Sequence, residues 1–271
     1  MKKITILFLF CLLSACSSGK SSFEEHNDFF TFLNEDRDFT QGFRVKNETQ
    51  NRSWALGQDI YTPANKRQNP PDPDGRPYAG HIFGEYRVLL PLKEGSRYFY
   101  GAEIGIVGPA ALGKQTQCEI HALLGQYCPA GWPEQLKNEP GITLRAGVET
   151  RNTDLLAFLL GEDIQKITVE VGNFSTALKF ESVTRWQVGN VFYFAGPSLQ
   201  LVARDIFLDG NSFRDSASVE KEFFWAEMMG GVGYDFKIVT VSWFIAARSP
   251  RFKSQRESYN YGGIKFEWGD N

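Results

Sequence analysis

The chain has 271 residues and a formal net charge of −3 at pH 7. This length suits one large domain or two small ones, and a charge so near zero lacks the strong positive field typical of nucleic-acid binding proteins. Beyond the N-terminus, no apolar run approaches the ~20 residues that a membrane-spanning helix needs. We therefore expect neither a nucleic-acid partner nor a helical membrane domain.

The first residues predict a secretion signal. Lys2 and Lys3 form a basic segment, and residues 4–13 form an apolar core that is too short to span a membrane. The small residues before Cys16 resemble the end of a bacterial lipoprotein signal, in which Cys16 becomes the lipid-modified first residue; an ordinary cleaved signal is the alternative. We expect a signal at 1–15, a short linker at 16–23 and one domain at 24–271.

The mature part of the chain alternates with a period of two, which is typical of β-strands. Between 142 and 149, for example, Ile142 and Leu144 share one face, while Thr143 and Arg145 share the other. The pattern predicts about twelve strands, at 24–33, 38–47, 52–62, 79–92, 96–108, 141–151, 164–173, 176–188, 192–206, 219–235, 237–248 and 259–269. Most of them reach the ~9–11 residues of a tilted membrane-spanning strand.

Strand length, strand number and connection length favour a membrane β-barrel over a soluble sandwich. Bacterial outer-membrane barrels have an even number of antiparallel strands, short periplasmic turns and long extracellular loops. The third, fifth, ninth and eleventh predicted connections are long, whereas the fourth, eighth and tenth are short. We therefore predict an all-β fold, a transmembrane antiparallel barrel with long extracellular loops. Lys179, Glu181 and Arg185 are then expected to form salt bridges in the lumen.

The longest break in the strand pattern, at 115–139, is predicted to be a catalytic loop. It contains His121 between Cys118 and Cys128. Once the signal region is removed, these two cysteines remain as an even pair outside the cytoplasm, where a disulfide is expected; two free thiols are the alternative. Such a bridge would hold the histidine in a short closed loop.

Other candidate residues lie towards the same side as His121: Asn27 and Asp28 in the first predicted strand, Thr40 at the turn into the second and Arg76 just before the fourth. An imidazole is the usual general base for activating water. Asn27, Asp28 and Thr40 offer hard oxygen ligands suited to Ca²⁺, and a bound Ca²⁺ can stabilise the oxyanion formed from an ester. Arg76 offers a planar fork for a phosphate or carboxylate group. Each of these residues could instead have a purely structural role: Asn27 and Asp28 could end a strand, Thr40 could belong to a hairpin turn, and Arg76 could be a solvated charge in a loop.

Together these segments resemble the lipid A 3′-O-deacylase (LpxR-like) family of outer-membrane barrels. The resemblance covers most of the N-terminal half in order and is carried by Asn27-Asp28, Phe39-Thr40-Gln41-Gly42, Gln58–Pro63, Arg76-Pro77-Tyr78-Ala79-Gly80 and Gln117…His121…Gly131-Trp132…Gln135…Asn138-Glu139. It implies removal of the 3′-linked acyloxyacyl chain from lipid A of lipopolysaccharide, with calcium, in the outer membrane and with the active site facing the cell exterior.

The resemblance also implies roles for individual residues. His121 would activate water, and Asn27, Asp28 and Thr40 would build the catalytic site. Arg76 and Tyr78 would bind the substrate, and Asp28, Thr40 and Glu139 would be the metal ligands. Where the family carries an acidic residue shortly after its histidine, this chain has Gln126 and Tyr127, so the acidic partner is sought among Glu119, Glu134 and Glu139.

Three other functions remain as alternatives, one of which is a surface lipoprotein that binds a ligand through a soluble β-sandwich. A phospholipase-type acyl hydrolase of the outer membrane would share the ester chemistry and differ in substrate. A non-enzymatic porin would conduct ions without hydrolysing lipid, and a structural barrel would serve as a surface protein without hydrolysing lipid.

Overall fold

The computed structural model describes residues 19–31, 38–92, 95–152, 162–255 and 257–269, excepting the side chains of Asn152 and Glu162. The twelve strands are β1 (Lys20–Asn27), β2 (Asp38–Glu48), β3 (Arg52–Thr62), β4 (Ala79–Pro91), β5 (Arg97–Val107), β6 (Glu139–Asn152), β7 (Glu162–Gly172), β8 (Ser175–Val188), β9 (Val191–Asp205), β10 (Phe224–Asp235), β11 (Thr240–Arg248) and β12 (Tyr259–Gly269). The predicted signal at 1–15 and the lipid-modified Cys16 lie outside the described residues.

Every strand pairs antiparallel with its neighbours in the chain, and β1 pairs with β12 to close the sheet. The predicted all-β barrel of twelve strands is therefore confirmed. In such a barrel, all odd-numbered connections meet at one rim. The connections after β1, β3, β5, β9 and β11 are long and share that rim, whereas the turns after β2 and β8 are short.

Several strand boundaries differ from the prediction, three of them by about four residues or more. β1 begins at Lys20, inside the expected linker, and ends at Asn27 because a 3₁₀ turn (Asp28–Phe30) follows. The Asn27 side chain accepts a hydrogen bond from the backbone N–H of Phe29 at 2.8 Å, which caps this turn. β10 begins at Phe224, five residues after the predicted start. The residues before Phe224 belong instead to the long connection between β9 and β10, at the rim where the long connections meet.

The two faces of the wall differ in chemistry, as the alternation predicts. On β5, Tyr98, Tyr100 and Ile104 are exposed on the outer face, while Phe99 and Glu103 are buried inside. The exposed apolar side chains of neighbouring strands continue this outer surface, which is the arrangement of a lipid-facing barrel wall.

Ion pairs fill much of the interior. The guanidinium of Arg145 lies 2.8 Å from Glu103 and 2.9 Å from Glu170, and it also contacts Glu85. The predicted lumen salt bridges are confirmed: Lys179 pairs with Glu170, Glu181 with Lys166 and Arg185 with Asp235.

Short helices interrupt the long rim connections. They are a 3₁₀ turn (Pro109–Ala111), helix α1 (Gly113–Leu123), a second 3₁₀ turn (Trp132–Glu134) and helix α2 (Ile206–Asp209). No described helix is long and apolar enough to cross a membrane. Helix α1 occupies the segment that the sequence predicted to be a loop.

Candidate active site

Helix α1 packs against the barrel wall through a pair of glycines. A Cβ atom added to Gly80 on β4 would lie 2.9 Å from the backbone of Gly113, and one added to Gly113 would lie 2.8 Å from that of Gly80. Neither position accepts a side chain without displacing the helix. Just before the helix, the Gln58 side chain donates a hydrogen bond of 2.6 Å to the carbonyl of Ala111. These contacts fix the start of α1 on the wall.

The alternation of side chains along β1 shows that helix α1 lies on the outer side of the barrel wall. Glu24 pairs with Lys265 at 3.3 Å, and the ring of His26 lies 5.2 Å from that of Phe244, so both residues face the interior. Glu25 and Asn27 therefore face outward. Both line a pocket together with residues of α1. The pocket thus lies between helix and wall, on the side that faces lipid, and not in the lumen.

This outer pocket has a volume of about 250 Å³. It brings together four predicted catalytic residues, which come from β1, its 3₁₀ turn, β2 and α1. Its lining consists of Glu25, Asn27, Asp28, Phe29, Phe30, Thr40, Gln41, Gln117, Ile120, His121, Leu124 and Gln126. Residues separated by up to about ninety positions in sequence therefore meet at one place, as the resemblance implied.

His121 projects from the buried face of α1, together with Gln117 one turn earlier. Its Nδ1 lies 2.6 Å from the carbonyl oxygen of Tyr127. Because a carbonyl can only accept a hydrogen bond, Nδ1 of the neutral ring carries the proton and Nε2 is the basic nitrogen. A backbone carbonyl thus holds the imidazole in the position where a carboxylate from Glu119, Glu134 or Glu139 was sought.

The predicted disulfide is present and joins Cys118 of α1 to Cys128. His121 and Tyr127 both lie within the loop that this bond closes. The bridge therefore fixes the two ends of the hydrogen bond that orients the imidazole.

Asp28 and Thr40 approach the pocket from the wall. Asp28 is buried in the 3₁₀ turn after β1, with 4% of its surface exposed. The Thr40 hydroxyl lies 2.5 Å from that of Thr62, at the point where a bulge shifts the register between β2 and β3. This bulge is a local feature that re-aims a side chain.

Lys66 is a charged residue near this site that the sequence did not single out. It lies in the proline-rich connection after β3, is almost fully buried, and interacts electrostatically with Asp28. Burial lowers the pKa of Lys66 to about 8, although the carboxylate of Asp28 opposes that change. The backbone N–H of Ala130 donates to the Lys66 carbonyl at 2.9 Å, which joins this connection to the segment after α1. A lone lysine in a loop carries no spacing signal that would have revealed it.

Arg76 and Tyr78 lie apart from these residues. They line a second cavity of about 490 Å³, and the linings of the two cavities have no residue in common. Tyr78 is fully buried, with its ring 5.2 Å from that of Trp132. Arg76 is 1% exposed, and its guanidinium lies over the ring of Tyr61, 4.4 Å from the ring centroid. The structure therefore does not bring the two predicted substrate-binding residues together with His121 and the other predicted catalytic residues.

Glu139 does not join Asp28 and Thr40. It lies at the start of β6, outside the lining of the pocket, and its carboxylate accepts hydrogen bonds from the side chains of Asn173 and Asn211 and from the backbone of Ser212. Glu139 therefore anchors the connection after β9 and is not brought together with Asp28 and Thr40, the other two predicted metal ligands.

The chemistry of the pocket suits a hard cation. No group of three or more histidine, cysteine or acidic side chains forms a metal cluster among the described residues. The outward wall nevertheless presents the carboxylates of Glu25 and Asp28 and the hydroxyl of Thr40 to one pocket. Oxygen donors of this kind, supplemented by carbonyl groups and water, are the ligands of Ca²⁺.

Comparisons with known proteins agree with this architecture. The chain matches the model of the family described as "Outer membrane protein LpxR" over residues 4–189 and 181–269. No curated protein sequence matches it. Among solved structures it is similar to LpxR from Salmonella typhimurium, with 19% sequence identity and a TM-score of 0.79, covering 93% of this chain and 100% of that one.

Other outer-membrane barrels are less similar. The KdgM porin gives a TM-score of 0.45 at 5% identity, covering 93% of this chain and 99% of the porin. The translocator domain of the autotransporter NalP from Neisseria meningitidis gives 0.42 at 8% identity, covering 99% and 95%. These two scores are too low to support any argument about fold or function. Because the family model extends over almost the whole chain, the protein belongs to the LpxR family of outer membrane proteins.

Proposed function

We propose that this protein is an outer-membrane lipid A deacylase that hydrolyses the 3′-linked acyloxyacyl ester of lipid A. One observation carries the proposal: a histidine with a basic Nε2 lines a pocket that opens on the outer, lipid-facing side of the barrel wall. A water-soluble substrate would be expected to enter through the lumen. An ester carried by a membrane lipid reaches a site on the outer wall by lateral diffusion, and membership of the LpxR family supports lipid A as that lipid.

In the proposed reaction, His121 Nε2 takes a proton from a water molecule as the water attacks the ester carbonyl. A C–O bond forms to the water oxygen, and the carbonyl oxygen becomes an oxyanion. When the tetrahedral intermediate collapses, the bond to the sugar oxygen breaks and the imidazolium returns the proton to that oxygen. The products are a free acyloxyacyl acid and a 3′ hydroxyl group. The Tyr127 carbonyl stabilises the imidazolium through its hydrogen bond to Nδ1.

We propose calcium as the cofactor, held by Asp28 and Thr40, with Asn27 shaping the turn that presents Asp28. Bound Ca²⁺ would supply a positive charge that stabilises the oxyanion. Lys66 balances the charge of Asp28, so the lysine and a calcium ion compete for the same carboxylate. Glu139 is not part of the proposed ligand set.

The proposed orientation follows from the connections. Outer-membrane barrels carry their long loops on the cell exterior, and the pocket lies at the rim where this chain has its long connections. The active site would then meet lipid A in the outer leaflet. The ion pairs of Arg145 with three glutamates in the lumen weigh against the porin alternative.

The proposal is tested with purified protein in detergent micelles, supplied with lipid A or with a phospholipid and with calcium. We expect the wild type to release the 3′ acyloxyacyl chain and to leave the phospholipid intact, as measured by mass spectrometry. His121→Ala should abolish release. His26→Gln is the matched control, because His26 faces the interior and should be dispensable. Hydrolysis of the phospholipid alone would support the phospholipase alternative, and full activity of His121→Ala would remove this histidine from the mechanism.

A further inference from the structure

We propose that Gln117 is a catalytic residue whose side-chain N–H group donates a hydrogen bond to the ester carbonyl oxygen and to the oxyanion that replaces it. The inference rests on the proposed function, because it assigns a second role in the same reaction. Gln117 and His121 stand one helical turn apart on the buried face of α1, and both line the outer pocket. A base and a hydrogen-bond donor are thus presented to the same small volume.

The orientation of the Gln117 amide is determined by its neighbour. The indole nitrogen of Trp132 lies 2.8 Å from Gln117 Oε1, and both side chains are almost fully buried. An indole N–H can only donate, so the atom that faces it must be the amide oxygen. The NH₂ group therefore points away from Trp132. This argument removes the usual ambiguity between the oxygen and nitrogen of a glutamine side chain.

The same hydrogen bond makes Gln117 a poor candidate for a metal ligand. Its oxygen is the only atom that could coordinate a cation, and that oxygen is engaged by Trp132. Its nitrogen, Nε2, is buried and has no hydrogen-bond partner in the described protein. A buried amide N–H without a partner costs free energy in the resting protein, and a carbonyl oxygen in the pocket would satisfy it.

A donor held in this way suits an oxyanion. Catalytic donors are effective when they are oriented before the reaction begins and lie in a site with little water. Trp132 is itself held in place, since it packs in a buried cluster with Tyr78 and with Ile60 of β3, and its ring approaches Gly113 of the helix. The Tyr78-Trp132-Gln117 series thus orients the donor, and this gives Tyr78 a positioning role.

The test compares two glutamines on the same helix. Gln117→Glu keeps an oxygen for Trp132 but removes the N–H donor, and Gln117→Met removes both without adding charge. Gln115→Glu makes the first change on the exposed face of α1 and serves as the matched control. We expect both Gln117 variants to lower kcat by about 10²-fold or more with KM nearly unchanged, as for other single oxyanion donors, and Gln115→Glu to keep wild-type activity.

Trp132→Phe supplies an independent readout, since it keeps a ring in place but frees the amide to rotate. We expect Trp132→Phe to cause an intermediate loss in kcat. The double variant that also carries Gln117→Met should lose no more kcat than Gln117→Met alone. Barrel folding is checked by mobility on an unheated detergent gel. If the wild type is active and both Gln117 variants keep its kcat, the inference is wrong and the proposed function stands. If the wild type does not hydrolyse lipid A, both are wrong.

Discussion

The disulfide between Cys118 and Cys128 offers a quantitative test of how the active site is held. It spans ten positions in sequence and encloses both His121 and Tyr127. The hydrogen bond from His121 Nδ1 to the Tyr127 carbonyl lies within this loop. Replacing both cysteines by serine should therefore let the segment that carries the Tyr127 carbonyl move away from the imidazole, while the strands of the barrel stay in place.

The size of the effect follows from chain entropy. Closing a loop of about this length lowers the conformational entropy of the open segment, which raises the free energy of that open state by roughly 3 kcal/mol. Since about 1.4 kcal/mol corresponds to a factor of ten, losing the bridge raises the ratio of open to ordered segment by about 100-fold. Remaining contacts, such as the hydrogen bond from Ala130 to Lys66, offset part of this loss. Because the rate follows the fraction of protein in which the segment is ordered, we expect deacylation to fall by up to about 100-fold.

The assay is the initial rate of acyl-chain release, measured by mass spectrometry, with and without a reductant. Reductant should lower the rate of the wild type towards that of the doubly substituted protein. The doubly substituted protein has no disulfide, so the same reductant should not affect it. Mobility on an unheated gel should show an intact barrel in every sample. A doubly substituted protein with the full wild-type rate would refute the argument that the bridge orients His121.

Two further predictions concern the charges around Asp28. Removing calcium with a chelator should abolish activity. Asp28→Asn should raise the calcium concentration required for half-maximal rate, whereas Glu139→Gln, outside the pocket, should leave that concentration unchanged. Equal calcium requirements in the wild type and both variants would exclude Asp28 as a ligand. Lys66→Met removes a cation that competes for Asp28, so calorimetry should show calcium binding tightened by roughly tenfold, or about 1.4 kcal/mol. Unchanged or weaker binding in that variant would contradict the competition.

Most of the fold could be predicted because a barrel wall has a simple periodicity. Apolar residues on β5, such as Tyr100 and Ile104, must face lipid, while Glu103 between them must face the interior. This pattern determines strand number and position. It does not determine strand ends, since Phe29 and Phe30 continue the apolar character of β1 into the 3₁₀ turn that Asn27 caps.

Helix α1 could not be predicted in the same way. It is short, its exposed face is mixed in character, and its first residue, Gly113, is a poor helix former. The helix is held by tertiary contacts: the close approach of Gly80 and Gly113, the Gln58 hydrogen bond and the disulfide. None of these contacts has a local signature in the sequence.

The candidate catalytic cluster was predicted in part. The resemblance identified His121, Asn27, Asp28 and Thr40, and these four residues meet in one pocket. It also suggested Glu139, whose carboxylate is instead engaged in anchoring another connection.

The roles of individual atoms required the structure. The partner of the imidazole is a backbone carbonyl, that of Tyr127, and a backbone group cannot be recognised by residue type. The orientation of the Gln117 amide depends on Trp132, fifteen positions away along the chain.

The central claim is most directly tested in cells whose lipid A carries its 3′ acyloxyacyl chain. Lipid A would be extracted from cells that express the wild type or His121→Ala at equal levels in the outer membrane, and its mass would be compared with that from cells without the protein. The wild type should lower the mass by that of one acyloxyacyl chain, and His121→Ala should leave it unchanged. Intact lipid A in cells with folded wild-type protein would contradict the proposed activity.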